Sequence, residues 1–159
     1  MIVSDAGPLI IFARLGRLPL LRDVTGHLTI PLAVYAEIMA NQGTMPGAAE
    51  IAQANWIVRE TLAEQSLLPS LPGSLHEGER EAIALASELN AQLLMDEIRG
   101  RRVATQLGIE VIGSLRILAE AKRIGIIESV EPLLKEMRSN GYRIDRELMQ
   151  RFLDAMNKA

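Results

Sequence analysis

Asp5, Glu37, Glu79 and Asp96 stand out because of what precedes them in the chain. Asp5 follows an apolar run at Met1–Ser4 and Asp96 follows another at Gln92–Met95. Both runs read as strands, so both acids are expected at strand carboxyl ends, where open parallel sheets bind their ligands. Glu37 and Glu79 are expected early in helices leaving the same sheet edge, where the helix dipole offsets negative charge. Four carboxylates converging on one pocket repel, which raises some of their pKa values unless a cation neutralises them. All-oxygen ligation suits a hard ion, Mg²⁺ or Mn²⁺. Such an ion lowers the pKa of a bound water and stabilises charge on a phosphodiester during in-line attack. The set would then serve metal-assisted hydrolysis.

Each acid also has a plainer explanation. Asp5 suits a turn ahead of Pro8, and Asp96 suits the N-cap of the next helix. Glu79 suits a helix N-terminus and Glu37 a solvated helix face. Their shared placement at one sheet edge is what the plainer explanations leave out.

Other polar residues cluster nearby. Arg99, Arg101 and Arg102 crowd the helix after Asp96, with Arg99 and Arg102 three apart on one face. That pair would hold substrate phosphates or the acidic part of an inhibitor, with a solvated helix face as the alternative. Glu97 is an auxiliary candidate, turned ~100° from Asp96 around a helix. Ser114, after Gly113 at the end of the last strand, would touch substrate or metal-bound water, or act as an N-cap. His27 and His76 are isolated and expected at the surface. The aromatic residues Phe12, Tyr35, Trp56, Tyr142 and Phe152 are too sparse along the chain for a base-stacking platform, and most read as core.

The elements that must position these groups alternate between short β-like and longer helical runs, the pattern of a mainly parallel α/β fold. Strands are expected at Met1–Ser4, Leu28–Ile30, Trp56–Val58, Gln92–Met95 and Ile109–Ile112. Helices are expected at Leu9–Leu15, Leu18–Val24, from Pro31 through Ile38, and at Ala48–Ala54. Further helices follow at Gly78–Leu89, Glu97–Leu107, Ser114–Lys122, Val130–Ser139 and Asp145–Met156. Pro31 suits a first helical turn, and Ser74-Leu75-His76-Glu77 resembles a capping box. Gly43–Gly47 reads as a loop and Glu60–Ser74 as a long connection. Residues 1–159 read as one domain.

Composition narrows the class. The chain has 159 residues, 48% hydrophobic and 23% charged, which suits a globular domain with a proper core. Apolar runs fall far short of the ~20 residues that span a bilayer, and the start lacks a signal-peptide pattern. With no Cys there are no disulfides or cysteine zinc sites, which fits a cytoplasmic location. A net charge of −3 argues against holding nucleic acid by bulk positive charge. No GxGxxG, Walker loop or HExxH motif occurs, so dinucleotide, NTPase and zinc-protease readings are disfavoured.

The chain resembles the PIN domain superfamily, closely its DUF3368 branch of VapC-like proteins. The resemblance lies in VSDAGPLIIFARLGRLPLL (Val3–Leu21), IPLAVYAEI (Ile30–Ile38), GEREAIALA (Gly78–Ala86) and LLMDEIRGRRVATQLGIEVIGS (Leu93–Ser114). It implies a three-layer α/β/α, Rossmann-like fold with about five mainly parallel strands, the first one central. By position, the family's acidic residues fall on Asp5, Glu37, Glu79 and Asp96. The third is Glu where many relatives carry Asp. The resemblance also implies a Mg²⁺- or Mn²⁺-dependent ribonuclease, the toxin of a type II toxin–antitoxin pair. A homodimer that binds a small antitoxin near the acidic pocket is expected on the same ground. The dimer is further suggested by apolar early helices (Leu9, Ile10, Ile11, Leu18, Leu20, Leu21), more than one helix face needs. The competing reading is a catalytically inactive PIN-like module that acts through protein contacts.

Overall fold

The first strand, β1 (Ile2–Ser4), lies at the centre of a five-stranded, all-parallel sheet. Its neighbours are β2 (Leu28–Pro31) on one side and β4 (Gln92–Leu94) on the other, with β3 (Ile57–Glu60) and β5 (Val111–Ile112) at the edges. Val3 pairs with Thr29 and with Leu93, and Leu94 pairs with Ile112. The order β3-β2-β1-β4-β5 means that the chain leaves β1 in one direction and later returns to its other side. The carboxyl ends of β1 and β4 therefore flank the switch point of the sheet, the crevice where such folds bind ligands. The computed structural model describes residues 1–40, 43, 45–64 and 66–158. Thr44 of the expected Gly43–Gly47 loop, Gln65 of the Glu60–Ser74 connection and the terminal Ala159 lie outside them.

Helices flank the sheet in the expected α/β/α arrangement. Between β1 and β2 run α1 (Ala6–Arg14) and α2 (Leu18–Thr25). Between β2 and β3 run α3 (Leu32–Ala40) and α4 (Ala48–Gln53). A short 3₁₀ turn at Leu68–Ser70 breaks the long connection before α5 (Glu77–Leu89), which packs on β1, β2, β4 and α3. Then come α6 (Ile98–Gln106), α7 (Ser114–Arg123), α8 (Glu131–Ser139) and α9 (Arg146–Lys158). The core spans sheet and helices: Val3, Leu28, Ile30, Leu93 and Leu94 are buried with Leu9, Phe12, Ile83 and Leu85. Each fully buried leucine or isoleucine contributes about 1.5–3 kcal/mol relative to exposure. Trp56 is buried like Phe12, whereas Tyr35 lies under the guanidinium of Arg59, 4.2 Å from its ring centre. No helix among the described residues is long and apolar enough to cross a membrane.

Several boundaries differ from the sequence reading for local reasons. Helix α1 starts at Ala6, not Leu9. Pro8 is tolerated because the first N–H groups of a helix have no intrahelical acceptor to reach. Pro31 closes β2 and lies outside α3; the N–H of Ala33 in the first turn of α3 donates to Glu81 Oε1 at 3.3 Å. The Ser74 capping box does not form. His76 occupies the N-cap of α5, and Ser74 instead accepts a bond from Arg99. The C-terminus of α5 closes on Asn90 at φ 51°, a left-handed position that asparagine tolerates. The apolar surplus of the early helices is absorbed within the chain. Leu9, Ile11, Leu18, Leu20 and Leu21 are buried and Ile10 half-buried, so that surplus no longer argues for a dimer.

Candidate active site

Asp5 emerges from the carboxyl end of β1, with its N–H donating to Leu94 O at 3.0 Å and so extending the β1–β4 ladder by one residue. It stands at the N-cap of α1 in extended backbone, yet its side chain makes no capping bond to that helix. The residue is only 7% exposed. Burial raises its pKa from 3.8 to about 7; the N–H of Ala6 opposes this, and the charges of Glu79, Glu37 and Asp96 add to it. The other three acids singled out in the sequence thus all act on Asp5 at the switch point.

Glu37 and Glu79 approach from α3 and the first turn of α5. Glu37 is exposed as a residue, but its carboxyl lies against the start of α5. A Cβ at Gly78 would sit 3.3 Å from Glu37 Oε1. Partial desolvation raises its pKa, and the charge of His76 opposes the rise. Glu79 is 7% exposed. Its pKa is raised by burial and then by Glu97, with which it shares a hydrogen bond. Burial also acts upward on Glu97, but the N–H groups of Gly100 and Arg99 outweigh it and hold that carboxyl below its ordinary range. Gly100 leaves room for Met95: a Cβ there would press on the Met95 sulfur, while Glu79 Oε2, 3.4 Å away, would be in ordinary contact.

Asp96 follows β4 but does not cap the next helix. That role belongs to Glu97, whose Oε2 accepts the Gly100 N–H at 2.7 Å. Asp96 instead receives two bonds from Ser114, the backbone N–H on Oδ1 at 2.8 Å and Oγ on Oδ2 at 2.5 Å. Tyr142 donates its hydroxyl to Oδ1 at 3.4 Å, and its own pKa is raised by burial and by the charge of Asp96. Ser114 is fully buried at the first position of α7, with Gly113 as N-cap. Its hydroxyl is spent on Asp96, so it positions that carboxylate. Ser114→Ala keeps the backbone donor and is expected to cost about 1.5–3 kcal/mol, the worth of a hydrogen bond to a charged group. A thermal melt checks this, and an unchanged midpoint would mean that the hydroxyl does not hold Asp96.

The remaining candidates divide. Arg99 is exposed, donates to Ser74 Oγ at 2.9 Å and acts on Glu97. Arg102 is exposed on α6. The guanidinium beside Asp96 belongs to Arg101, which donates to Met95 O at 2.8 Å. Its Nη1 lies 2.7 Å, and Asp96 Oδ1 3.0 Å, from where a Gly113 Cβ would be. His76, expected to be an isolated surface group, is exposed but stands over the acids, Nε2 3.9 Å from Glu79 Oε1. Tyr142, one of the aromatic residues of which most read as core, is half-buried and reaches Asp96. Tyr142 carries no spacing signal, because it is brought in by the folding of a distant segment, whereas His76 stands only three residues before Glu79.

Asp5, Glu37, Glu79, Asp96 and Glu97 offer only oxygen donors, which fits a hard divalent ion. As posed, no three Asp, Glu, His or Cys side chains among the described residues close around one point. Glu79 is turned to Glu97 and Asp96 to Ser114, so loading would require at least Glu79 to turn from its partner.

No curated protein matches the sequence. Among solved structures, a PilT N-terminus domain protein from the hyperthermophilic archaeon Sulfolobus solfataricus P2 is similar in fold. The TM-score is 0.51 at 18% identity, over 76% of this chain and 92% of that one. The DUF3368 profile, described as a PIN domain, matches residues 1–158. PIN domains generally have the fold of metal-dependent nucleases. With its central first strand and acid-lined switch point, the chain belongs to the DUF3368 family of PIN domains.

Proposed function

We propose that this protein is an endoribonuclease dependent on Mg²⁺ or Mn²⁺, with Asp5, Glu37, Glu79 and Asp96 as its catalytic carboxylates. The observation that carries the reading is the Asp5 carboxyl. It is buried at the switch point and held to about 7 by desolvation and by the charges of the other three acids. A divalent ion relieves that strain, whereas a merely structural acid has no reason to sit there. Asp5 and Asp96 would hold the ion from the two strand ends, and Glu37 and Glu79 from the facing helices. The bound ion would supply an activated water and stabilise charge on the phosphodiester. Ser114 and Tyr142 keep the Asp96 carboxylate aimed, and Glu97 shares a hydrogen bond with Glu79. Arg99 and Arg102 are proposed to meet substrate phosphates.

The toxin role, a small antitoxin bound near the acids, a homodimer and a cytoplasmic location are proposed on the family resemblance. The second reading, an inactive PIN-like binding module, is favoured by the Glu79–Glu97 contact, which turns one carboxylate away from a shared centre. The purified protein is expected to cut single-stranded RNA with Mn²⁺ or Mg²⁺ and to stop on chelation. RNA left intact at every metal concentration would favour the module. Light scattering at micromolar concentration and pull-down from the native host test the dimer and the antitoxin.

A further inference from the structure

A groove of about 940 Å³ opens beside the acidic site, between the β5 end of the sheet and the C-terminal helices. That volume is near the upper end of the ~300–1,000 Å³ of small-molecule sites. Asp96 lines one part of it, and Tyr142, which bonds Asp96, lies in its wall. The groove and the acidic site therefore share Asp96. The chain carries a net charge of −3, yet the groove is lined by Arg101, Arg116, Arg138 and Arg143 against only Asp96 and Asp145. Asp145 is spent as a cap, accepting the Leu148 N–H at 2.8 Å, and Arg101 is tied to Met95. Arg116, Arg138 and Arg143 are exposed. Between them the wall is apolar and aromatic, with Leu115, Ile144, Tyr142 and the half-buried Phe152.

Cationic groups alongside an apolar, aromatic wall match a single nucleic-acid strand, with phosphates toward the arginines and base faces on the rings. We propose that this groove binds the single-stranded RNA next to the bond that is cut, through Arg116, Arg138 and Arg143 and through stacking on Phe152. The proposal rests on the ribonuclease reading for the identity of the strand. A cluster of positive charge that begins at a candidate catalytic carboxylate favours a polyanion that must reach that carboxylate.

The test measures binding of an end-labelled single-stranded oligoribonucleotide by fluorescence anisotropy, in chelator to prevent cutting and over a range of salt. Arg116→Gln combined with Arg143→Gln changes two exposed side chains outside the acidic cluster. Binding is expected to weaken, and the slope of log K against log salt to flatten by about 1.4, at ~0.7 per lost phosphate contact. Phe152→Leu, with its melting temperature checked, is expected to weaken binding several-fold without changing the slope. If the double variant keeps the wild-type affinity and slope, the proposal is overturned. Loss of a co-purifying protein in that same case would assign the groove to a protein partner. If the wild type binds RNA through the groove but cuts it with no divalent ion, the groove stands and the catalytic reading falls. If RNA is cut equally well by the wild type and the double variant, with binding unchanged, the catalytic reading stands and the groove falls. If the wild type neither binds nor cuts RNA, both fall.

Discussion

Asp96→Asn is expected to lower ribonuclease activity at least ~100-fold while leaving the fold in place, because losing an outer-shell partner of a metal already costs ~10–100-fold. The fold should survive because Glu97, not Asp96, caps α6. An asparagine can still accept the Ser114 N–H and offer its amide to Ser114 Oγ, so both contacts to α7 have a partner. What is lost is one negative charge from a crowded acidic site. Stabilisation by Mn²⁺ should shrink with it, since a ligand stabilises only as far as it binds the folded state. An ion at a hundred times its Kd adds about 2.7 kcal/mol, and a hundredfold weaker site leaves about 0.4 kcal/mol at the same concentration. Glu88→Gln is the control. Glu88 accepts the Ala63 N–H away from the site, and its variant should keep both the rate and the Mn²⁺ shift. Full activity and an undiminished Mn²⁺ shift in Asp96→Asn would end the catalytic assignment of Asp96.

Asp5→Asn is expected to raise the stability of the metal-free protein above neutral pH and to change it little near pH 4. The folded pKa of Asp5 lies above its ordinary value, 3.8 rising to about 7, because of burial first and then the surrounding carboxylates. The unfolded chain therefore gives up this proton first. Stability is complete below pH ~3.8, falls as pH rises through the interval, and stays low above about 7. The difference corresponds to about 4 kcal/mol, on the order of 8–16 °C in Tm for a chain of this size. Glu37 and Glu79 are raised in the same direction and steepen the loss. Asparagine cannot ionise and escapes it. Melts in chelator at pH 5 and pH 8 measure the effect, and saturating Mn²⁺ should restore the wild type at pH 8. A variant that melts lower than the wild type at pH 8 would show that the Asp5 carboxylate is stabilised rather than strained, contrary to its role here.

Local pattern was enough to read the order of strands and helices and to place Asp5 and Asp96 at strand ends. Periodicity and turn chemistry act over a few residues, so they are written in contiguous sequence. Where local signals misled, a distant group had claimed a local role. Ser74 was free to look like a cap until Arg99, 25 residues on, took its hydroxyl. Pro31 looked like a helix start, but the N–H of Ala33 in the next turn is answered from Glu81, 48 residues away. The plainer reading of Asp96 as a cap fails for a local reason, because its immediate neighbour Glu97 takes that place.

By itself the sequence determined an α/β chain with carboxylates at two strand ends and, with Glu79, at one helix start, because alternation, turn residues and charge are properties of short stretches. Glu37, expected early in its helix, lies in the second turn of α3, because that helix starts at Leu32 and ends at Ala40. Only the tertiary structure decided that those carboxylates share one electrostatic field, and which donors hold them. Asp96 is held by Ser114, 18 residues away, and by Tyr142, 46 residues away. The same packing gathers Arg116, Arg138, Arg143 and Phe152 into one groove from α7, α8, the α8–α9 connection and α9, which carry no spacing relation to one another. Hydrogen bonds and desolvation depend on distance in space, and that distance exists only once the sheet has closed around β1.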